Sequence, residues 1–306
     1  MALKQVLEVY ELLDSATVEG GQVADLFARR GLAGVHVERV TGALGHTDFV
    51  SGVIAGAGDG PTLGVIGRLG GIGARPAQIG LVSDADGAIV ALSAALKLAD
   101  MAAAGDVLPG PVRFATHICT HAPTTPHEPT PFMGSPVEIG AMNAMEVHRE
   151  MQAILSVDTT RGNRVINQRG FAISPTVREG YILRVSEDLL NIMSWVTGRA
   201  PVVFPITTQD ITPYGNGLYH LNSILQPATA TSAPVVGVAL TAEVAVPGPA
   251  TGASQVYDME AATRFCVEVA KSFTAGRCRF HDADEWRQIQ ALYGSLSFLQ
   301  KQRREA

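Results

Sequence analysis

Cysteine and charge are both scarce in this chain. Its 306 residues include only three widely spaced cysteines, which excludes the disulfide framework of a small secreted protein. Charged residues make up 17%, the formal net charge is −6, and no long basic run occurs. Nucleic acids and anionic membranes attract basic surfaces, so we expect neither as a partner.

Long apolar runs are missing as well. No uninterrupted apolar stretch reaches the roughly 20 residues that a membrane-spanning helix needs. The first residues, MALKQVLEVYELLDSA, place acidic residues among the leucines, which indicates an amphipathic helix and not a signal peptide. We therefore expect a cytoplasmic protein.

The chain does contain 46% hydrophobic residues, enough for a substantial core. Their periodicity predicts helices at 2–14, 17–30, 86–105, 135–151, 258–276 and 282–303. It predicts strands at 35–40, at 111–120, 153–160, 180–186, 201–208 and 233–241, and a pair at 49–56 and 61–70 joined by the turn AGDGP. Strands that alternate with long helices predict one α/β domain over residues 1–306, with a mostly parallel sheet and helices on both faces.

Polar residues concentrate at three places that this fold brings to one edge. The strand at 111–120 runs into THICTHAPTTPHEP, where His117, Cys119 and His121 alternate and so share a face if the strand continues. SDADG places Asp84 and Asp86 before the long helix. The strand at 153–160 ends in SVDTT, which supplies Asp158 and two threonines. Ligands of such sheets bind at the carboxyl ends of the strands.

Three interpretations fit these residues. Asp84 or Asp86, His121 and Asp158 could hold a divalent Zn, Mn or Fe ion that polarises an amide and activates water. Alternatively, Cys119 is a nucleophile activated by a neighbouring histidine. The third interpretation is a solvated loop, a small core cysteine and two helix-capping aspartates.

Candidate substrate-binding residues lie in three other segments. Arg68 begins the glycine-rich GRLGGIG, and TTRGNR supplies two more arginines; all three could bind an anionic group or form ordinary surface ion pairs. The long polar loop 207–220 is a candidate pocket wall. The candidates in the last two segments are Arg161, Arg164, Asp210, Tyr214 and Asn216.

The order of the motifs resembles that of the co-catalytic zinc aminopeptidases of the tetrahedral and glutamyl type. DFVSGVIAG and GRLGGIG resemble two early strands of that family, and SDADGAIVALSAALKL resembles its acidic loop and long helix. AILSVDTT resembles the strand that ends in a metal-binding aspartate, and GVALTAEVAVPGPATGASQVYDMEAA resembles the last strand, ligand loop and helix. The chain as a whole also resembles family 1177 of the domains of unknown function.

The chain departs from the peptidase pattern at most metal ligands. Arg68 stands at the first histidine ligand and Gly70 at its neighbouring aspartate, while Thr120 and His121 replace the Glu-Glu pair. The last histidine ligand falls near Gly248, with no histidine close by. The family's inserted dimerisation domain is also missing, because a short segment joins Gly73 to Asp84.

The resemblance implies a rebuilt metal site with Asp84 or Asp86, His121 and Asp158 as ligands. His117 or His127 would be a further ligand or the general base. We therefore expect a metal-dependent hydrolase of a small amide, lactam or short peptide, and a homo-oligomer. The alternatives are a non-catalytic peptidase-fold protein that binds a small peptide-like ligand, and an amidohydrolase that depends on Cys119.

Overall fold

The computed structural model of the protein describes residues 1–68, 70, 81–126, 128–221, 223–247 and 254–301. The helices are α1 Leu3–Leu13, α2 Gly20–Ala28, α3 Asp86–Ala103, α4 Ile139–Glu146, α5 Glu187–Thr197, α6 Val256–Thr274 and α7 Ala283–Tyr293. The strands are β1 His36–Gly42, β2 Gly45–Ile54, β3 Leu63–Gly67, β4 Val112–Ile118, β5 Thr124–Thr125, β6 Phe132–Met133, β7 Ala153–Thr159, β8 Gly170–Ile173, β9 Val177–Arg178, β10 Tyr181–Ile182 and β11 Val235–Thr241. No helix in these ranges is both long and apolar enough to cross a membrane.

One mixed sheet organises the molecule. Its strand order is β1-β2-β4-β3-β7-β11-β9-β10, and β8 also pairs with β11. The four central strands β4, β3, β7 and β11 are parallel, whereas the pairings toward both edges are antiparallel. The predicted parallel sheet is therefore correct for the centre, which is the part that aligns strand ends along one edge.

The two faces of the sheet are covered differently. On one face, α1, α2, α3, α5 and α6 bury the main core together with alternate strand residues such as Val65, Leu155 and Val238. On the other face, a second core cluster that includes Ile66 and Ile154 packs mainly against the irregular segment 202–228. The helix α4 covers this second face near β2.

The helix α3 is buried along nearly its whole length. Its sequence is rich in alanine and leucine on every side, which is the pattern of a helix enclosed by other elements. Gly87 in its first turn allows a close approach, since an added Cβ atom would lie 2.5 Å from the Arg68 carbonyl oxygen and 2.6 Å from that of Val157. The start of α3 therefore lies directly against the carboxyl ends of β3 and β7.

Several predicted elements differ in the structure. The strands predicted at 49–56 and 61–70 do not pair with each other, because β4 lies between β2 and β3 and hydrogen bonds to both. Residues 201–208 contribute only an isolated bridge between Val203 and Ile173, so the predicted strand there is wrong. The helix predicted at 258–276 begins two residues earlier, at Val256, and its N-cap is Gln255.

Two predictions about connections fall partly outside the described residues. The segment that joins Gly73 to Asp84, on which the missing dimerisation domain depends, lies mostly in residues 71–80. The loop near Gly248 lies in residues 248–253. The structure does describe the end of β4 at Ile118, so the alternation that was predicted to carry His121 onto the face of His117 stops earlier.

Candidate functional site

Six charged side chains are buried together at the carboxyl edge of the parallel strands. The four acids are at most 6% exposed and the two arginines are 1% exposed. Arg68 directly follows β3, Asp158 lies near the end of β7, and the close approach of α3 brings its first residues to the same place. The members of this buried charge cluster are Arg68, Asp84, Asp86, Glu146, Asp158 and Arg161.

The first ion pair in the cluster joins Arg68 to Glu146. The Nη1 atom of Arg68 contacts the carboxylate of Glu146. The other oxygen of that carboxylate lies 2.6 Å from Nδ1 of His117. The Gly70 N–H donates to the other ring nitrogen of His117, Nε2, at 3.3 Å. Burial alone would raise the pKa of Glu146, but Arg68 and His117 outweigh it and lower the pKa. Glu146 is therefore an ionised partner of Arg68, and both nitrogens of His117 are already engaged.

The second ion pair joins Arg161 to Asp86. The Arg161 Nη1 atom contacts the carboxylate, and the hydroxyl of Ser254 donates to its other oxygen at 2.5 Å. Burial raises the pKa of Asp86, against the lowering effect of Arg161 and Ser254. The two remaining nitrogens of Arg161, Nε and Nη2, are buried and have no hydrogen-bond partner among the described residues. Asp86 thus fixes one edge of the guanidinium and leaves the other edge unsatisfied.

Within the described ranges, Asp84 and Asp158 form no ion pair, although Arg161 and Arg68 respectively act on them from farther away. Burial, followed by the nearby carboxyl groups of Asp158 and Asp86, raises the pKa of Asp84 to about 7. Burial also raises the pKa of Asp158 to about 7, against the lowering effect of hydrogen bonds from the Thr159 N–H at 2.6 Å and the Ser223 hydroxyl at 3.0 Å. The four carboxyl groups of the cluster therefore share two guanidinium groups, and the buried Asp258 beside Arg161 adds a fifth acid. The excess negative charge has to be neutralised by protons or by a bound cation.

A cavity of about 590 Å³ opens onto this cluster. Asp84 and Arg161 lie in its wall, together with Tyr214, His220 and Ser223. The rings of Tyr214 and His220 are stacked, with centroids 4.3 Å apart. Ser223 connects the cavity to the deeper Asp158, since its hydroxyl donates to that carboxylate. The volume is that of a site for a small molecule or a short peptide.

The structure places the predicted substrate-binding residues in different surroundings. Arg164 is exposed at the cavity wall, and Tyr214 lies beside the cluster, where burial raises its pKa. Asp210 accepts hydrogen bonds from the N–H and hydroxyl of Thr207 and so caps a turn, while Asn216 donates to the hydroxyl of Thr212. These last two contacts organise the loop 207–220 itself.

Among the described residues, His121 and Cys119 make no hydrogen bond or ion pair with the aspartates of the cluster. His121 is exposed and its Nδ1 atom lies 2.9 Å from the hydroxyl of Thr120. Cys119 is buried among Val82, Ala122 and Met133, and burial raises the pKa of its thiol. That environment disfavours the thiolate that a nucleophile needs. His127 lies outside the described residues.

The side chains that could ligate a metal differ from those of the predicted metal site. In the described ranges, no three His, Cys, Asp or Glu side chains lie close enough to hold one ion. His117 is occupied on both nitrogens, and Asp86 is paired with Arg161. The imidazole and carboxylate set of a zinc site therefore does not assemble from these residues. Asp84 and Asp158 remain, and two carboxylates fit a hard cation that keeps several water ligands, such as Mn²⁺ or Mg²⁺.

Several residues of the cluster were not predicted from the sequence. Glu146 belongs to a helix whose pattern suggested only packing, and nothing in its neighbourhood indicates that it meets Arg68, 78 positions away. Ser223 follows the polar loop that was singled out, so loop length was a usable signal for it. Ser254 has no sequence signal, because its role depends on the position of Asp86.

Comparisons with known proteins agree with this architecture. Residues 38–303 match the model of a family described as protein of unknown function, DUF1177. No curated protein sequence matches the chain. Similar solved structures include the bottromycin maturation enzyme BotP, which is 13% identical with a TM-score of 0.55 over 88% of this chain and 70% of BotP.

Two further structures show the same likeness. BotP in complex with Mn gives a TM-score of 0.56 at 13% identity, over 88% of this chain and 71% of that one. Caenorhabditis elegans leucine aminopeptidase gives a TM-score of 0.52 at 13% identity, over 89% of this chain and 66% of the aminopeptidase. At this identity the likeness establishes the fold, and the predicted aminopeptidase-like architecture is confirmed.

Proposed function

The chain belongs to the DUF1177 family, and we propose that it hydrolyses a small amide, lactam or short peptide in the cavity above Asp84 and Asp158. The observation that carries this proposal is the charge imbalance of the buried cluster, in which these two carboxyl groups have a pKa of about 7 beside a cavity of about 590 Å³. Groups that titrate near neutral pH are the best general acids and bases at that pH.

Asp84 is the group that faces the reaction. It lines the cavity, whereas Asp158 lies behind it and reaches the cavity through Ser223. As a carboxylate, Asp84 takes a proton from the water that attacks the carbonyl carbon. As the C–N bond breaks, the protonated Asp84 gives that proton to the leaving nitrogen. The products released are a carboxylic acid and an amine. Burial, together with the nearby carboxyl group of Asp158, raises the pKa of Asp84 into the working range.

A divalent cation is the second way to neutralise the same charge. Asp84 and Asp158 would hold Mn²⁺ or Mg²⁺ in place of a shared proton, with water and ligand atoms completing its shell. The ion would polarise the amide carbonyl and acidify bound water. BotP, a structural neighbour, has been solved in complex with Mn. The hydrolase and the metal are separate proposals, since the acid pair can act with or without the ion.

The hydrolase proposal is tested by amine release from a panel of dipeptides, N-acyl amino acid amides and lactams. We expect the wild type to release amine from at least one class, and Asp84→Asn to reduce the rate by about 100-fold or more, as loss of a general base does. The exposed Asp59→Asn is the matched control and should retain the full rate. In the wild type, kcat/KM should fall about tenfold per pH unit below about pH 7, because the base becomes protonated.

Release from no member of the panel, at any pH tested, would leave a ligand-binding protein of the same fold as the remaining interpretation. Elemental analysis after purification without chelator addresses the metal. We expect bound Mn²⁺ after reconstitution of the wild type, and its loss in both Asp84→Asn and Asp158→Asn. Full activity of chelator-treated protein would assign the reaction to the acid pair alone.

A further inference from the structure

The guanidinium of Arg161 has two buried donors that nothing in the described part of the chain satisfies. Nε and Nη2 are without a hydrogen-bond partner, although the side chain is only 1% exposed. A buried donor without an acceptor destabilises the folded protein, and more so when it is charged. A residue that lines a cavity and carries this cost is poised to bind a ligand acceptor.

The two open donors lie on the same edge of the guanidinium. Nε–H and Nη2–H point in parallel and match the two oxygens of a carboxylate in a bidentate pair. The same side-on arrangement occurs in this protein between Arg39 and Asp48, where Nε and Nη2 donate to Oδ1 and Oδ2 at 2.6 and 2.9 Å. In Arg161, the same two nitrogens have no carboxylate bound to them in the described part of the chain.

The opposite edge of Arg161 is held in place. Its Nη1 atom contacts Asp86, and Ser254 in turn donates to Asp86 at 2.5 Å. A guanidinium clamped in this way has lost much of its rotational freedom before a ligand arrives, so little of the binding energy is spent on ordering it. Asp86 is therefore a positioning residue for the open fork.

We infer that Arg161 is a carboxylate-binding residue of the cavity, and that the ligand is a small amide or dipeptide with a free carboxylate. This inference deepens the proposed function, on which it rests for the presence of an amide beside Asp84. Asp84 and Arg161 line the same cavity of about 590 Å³, so one compact ligand can contact both groups. Substrates without a carboxylate, such as peptide amides, would leave the fork unsatisfied and bind less tightly.

The test compares two ligands that differ only in this group, glycylglycine and glycylglycinamide, by calorimetry at pH 7 with wild-type protein. We expect the carboxylate to bind at least about tenfold more tightly than the amide, as a bidentate charged pair implies. Arg161→Lys keeps the charge beside Asp86 but lacks the fork, and should reduce the preference to about twofold or less. Arg29→Gln removes an exposed cation that does not line the cavity and should leave the preference unchanged.

Misfolding of a variant is controlled by a second route. The double variant Asp86→Asn/Arg161→Gln removes both members of the buried ion pair, so neither member is left without the other, and it should also lose the preference. Equal binding of the two ligands by the wild type would overturn the inference. So would a preference that survives in Arg161→Lys and in the double variant, or the absence of binding by either ligand up to about 10 mM.

Binding and turnover are read separately. A carboxylate preference in a protein that hydrolyses nothing would retain Arg161 as the anion site and reject the proposed hydrolase. Hydrolysis that is equally fast for acids and amides, with no binding preference, would retain the hydrolase and reject the role of Arg161.

Discussion

Burial raises the pKa of Asp84, Asp86 and Asp158, whereas in Glu146 the nearby cation and histidine outweigh burial. Glu146 has Arg68 beside it and a lowered pKa, while burial raises the pKa of Asp84 and of Asp158 to about 7. At the residue scale, then, chemical type says little about protonation, and the count of charges within each buried neighbourhood decides it.

The raised pKa of Asp84 makes the stability of the fold depend on pH. In the unfolded chain this carboxyl group loses its proton near pH 4, but in the folded chain it retains it up to about pH 7. The folded state therefore binds more protons in that window, and the free energy of unfolding falls as pH rises from about 4 to 7. The side chain of Asp84→Asn has no proton to lose in this range. Between pH 5 and pH 8, the free energy of unfolding of this variant should therefore fall by about 2–4 kcal/mol less than that of the wild type.

Urea denaturation of wild type and Asp84→Asn at both pH values measures this difference. The exposed Asp59→Asn should follow the wild-type pH profile. Identical profiles for all three proteins would mean that Asp84 is already ionised in the folded protein near pH 5.

Cys119 gives a second prediction at the residue scale. Its thiol is buried in an apolar cluster with Val82, Ala122 and Met133, and its pKa is raised. We expect Cys119→Ser to retain hydrolysis and to destabilise the fold by about 0.5–2 kcal/mol, because the buried hydroxyl is only partly compensated by the His46 carbonyl oxygen that the thiol contacts at 3.7 Å. Cys119→Ala introduces no hydroxyl and should also retain hydrolysis; a loss of activity in both variants, with the fold intact, would restore the thiol as the nucleophile.

At the element scale, the position of α3 creates the site. Gly87 allows the first turn of this helix to lie against the ends of β3 and β7, and that contact brings Asp84 and Asp86 to Asp158. Helix propensity alone would favour a different residue here, since glycine is the poorest helix former after proline. The backbone contact explains why this position is a glycine.

Gly87→Ala tests that contact. The added Cβ would lie 2.5 and 2.6 Å from two backbone carbonyl oxygens, so either α3 or the strand ends must move. We expect a loss of more than about 2 kcal/mol in the free energy of unfolding, as overpacking against backbone implies. Gly21→Ala in α2 is the matched control: its Cβ would meet nothing within 4 Å, and it should stabilise the fold by about 0.5–1 kcal/mol. Equal effects of the two changes would show that α3 tolerates displacement.

At the scale of the whole molecule, the surface retains large apolar side chains. Trp195 on α5 is 76% exposed, an unusual position for the largest apolar residue. We expect the protein to form a homo-oligomer in solution through the face that carries Trp195. Trp195→Glu should then reduce the mass measured by light scattering to that of a single chain, and Leu44→Glu, at a second exposed apolar position, should not. A wild type that is already monomeric would contradict this expectation.

Much of the fold was accessible from the sequence, and the failures have definite causes. The ranges of α1, α3 and β11 follow from apolar periodicity, which reflects local burial. The pairing of β2 and β3 was predicted wrongly because β4, far away in the chain, inserts between them. The helix α5 was missed although Ser186 accepts from the Leu189 N–H as an ordinary N-cap, because the preceding strand pattern dominated that region.

The site shows the same limits. Asp84, Asp158 and Arg161 were predicted because polar residues at strand ends are uncommon and the fold places them at one edge. The histidine ligand His121 was predicted on the condition that its strand continued, and the strand ends at Ile118. Partners such as Glu146 and Ser254 could not be identified, since nothing local to them differs from ordinary helix or loop residues.

The sequence by itself determined the class of fold, the order of its elements and the edge at which polar residues gather, because periodicity and strand ends are local properties. Only the tertiary structure decided which carboxyl groups acquire a cation. Arg68 pairs with Glu146 across 78 positions and Arg161 with Asp86 across 75, so Asp84 and Asp158 are left with the excess charge. Charge balance in a buried cluster depends on distances in space, and no pattern along the chain records them.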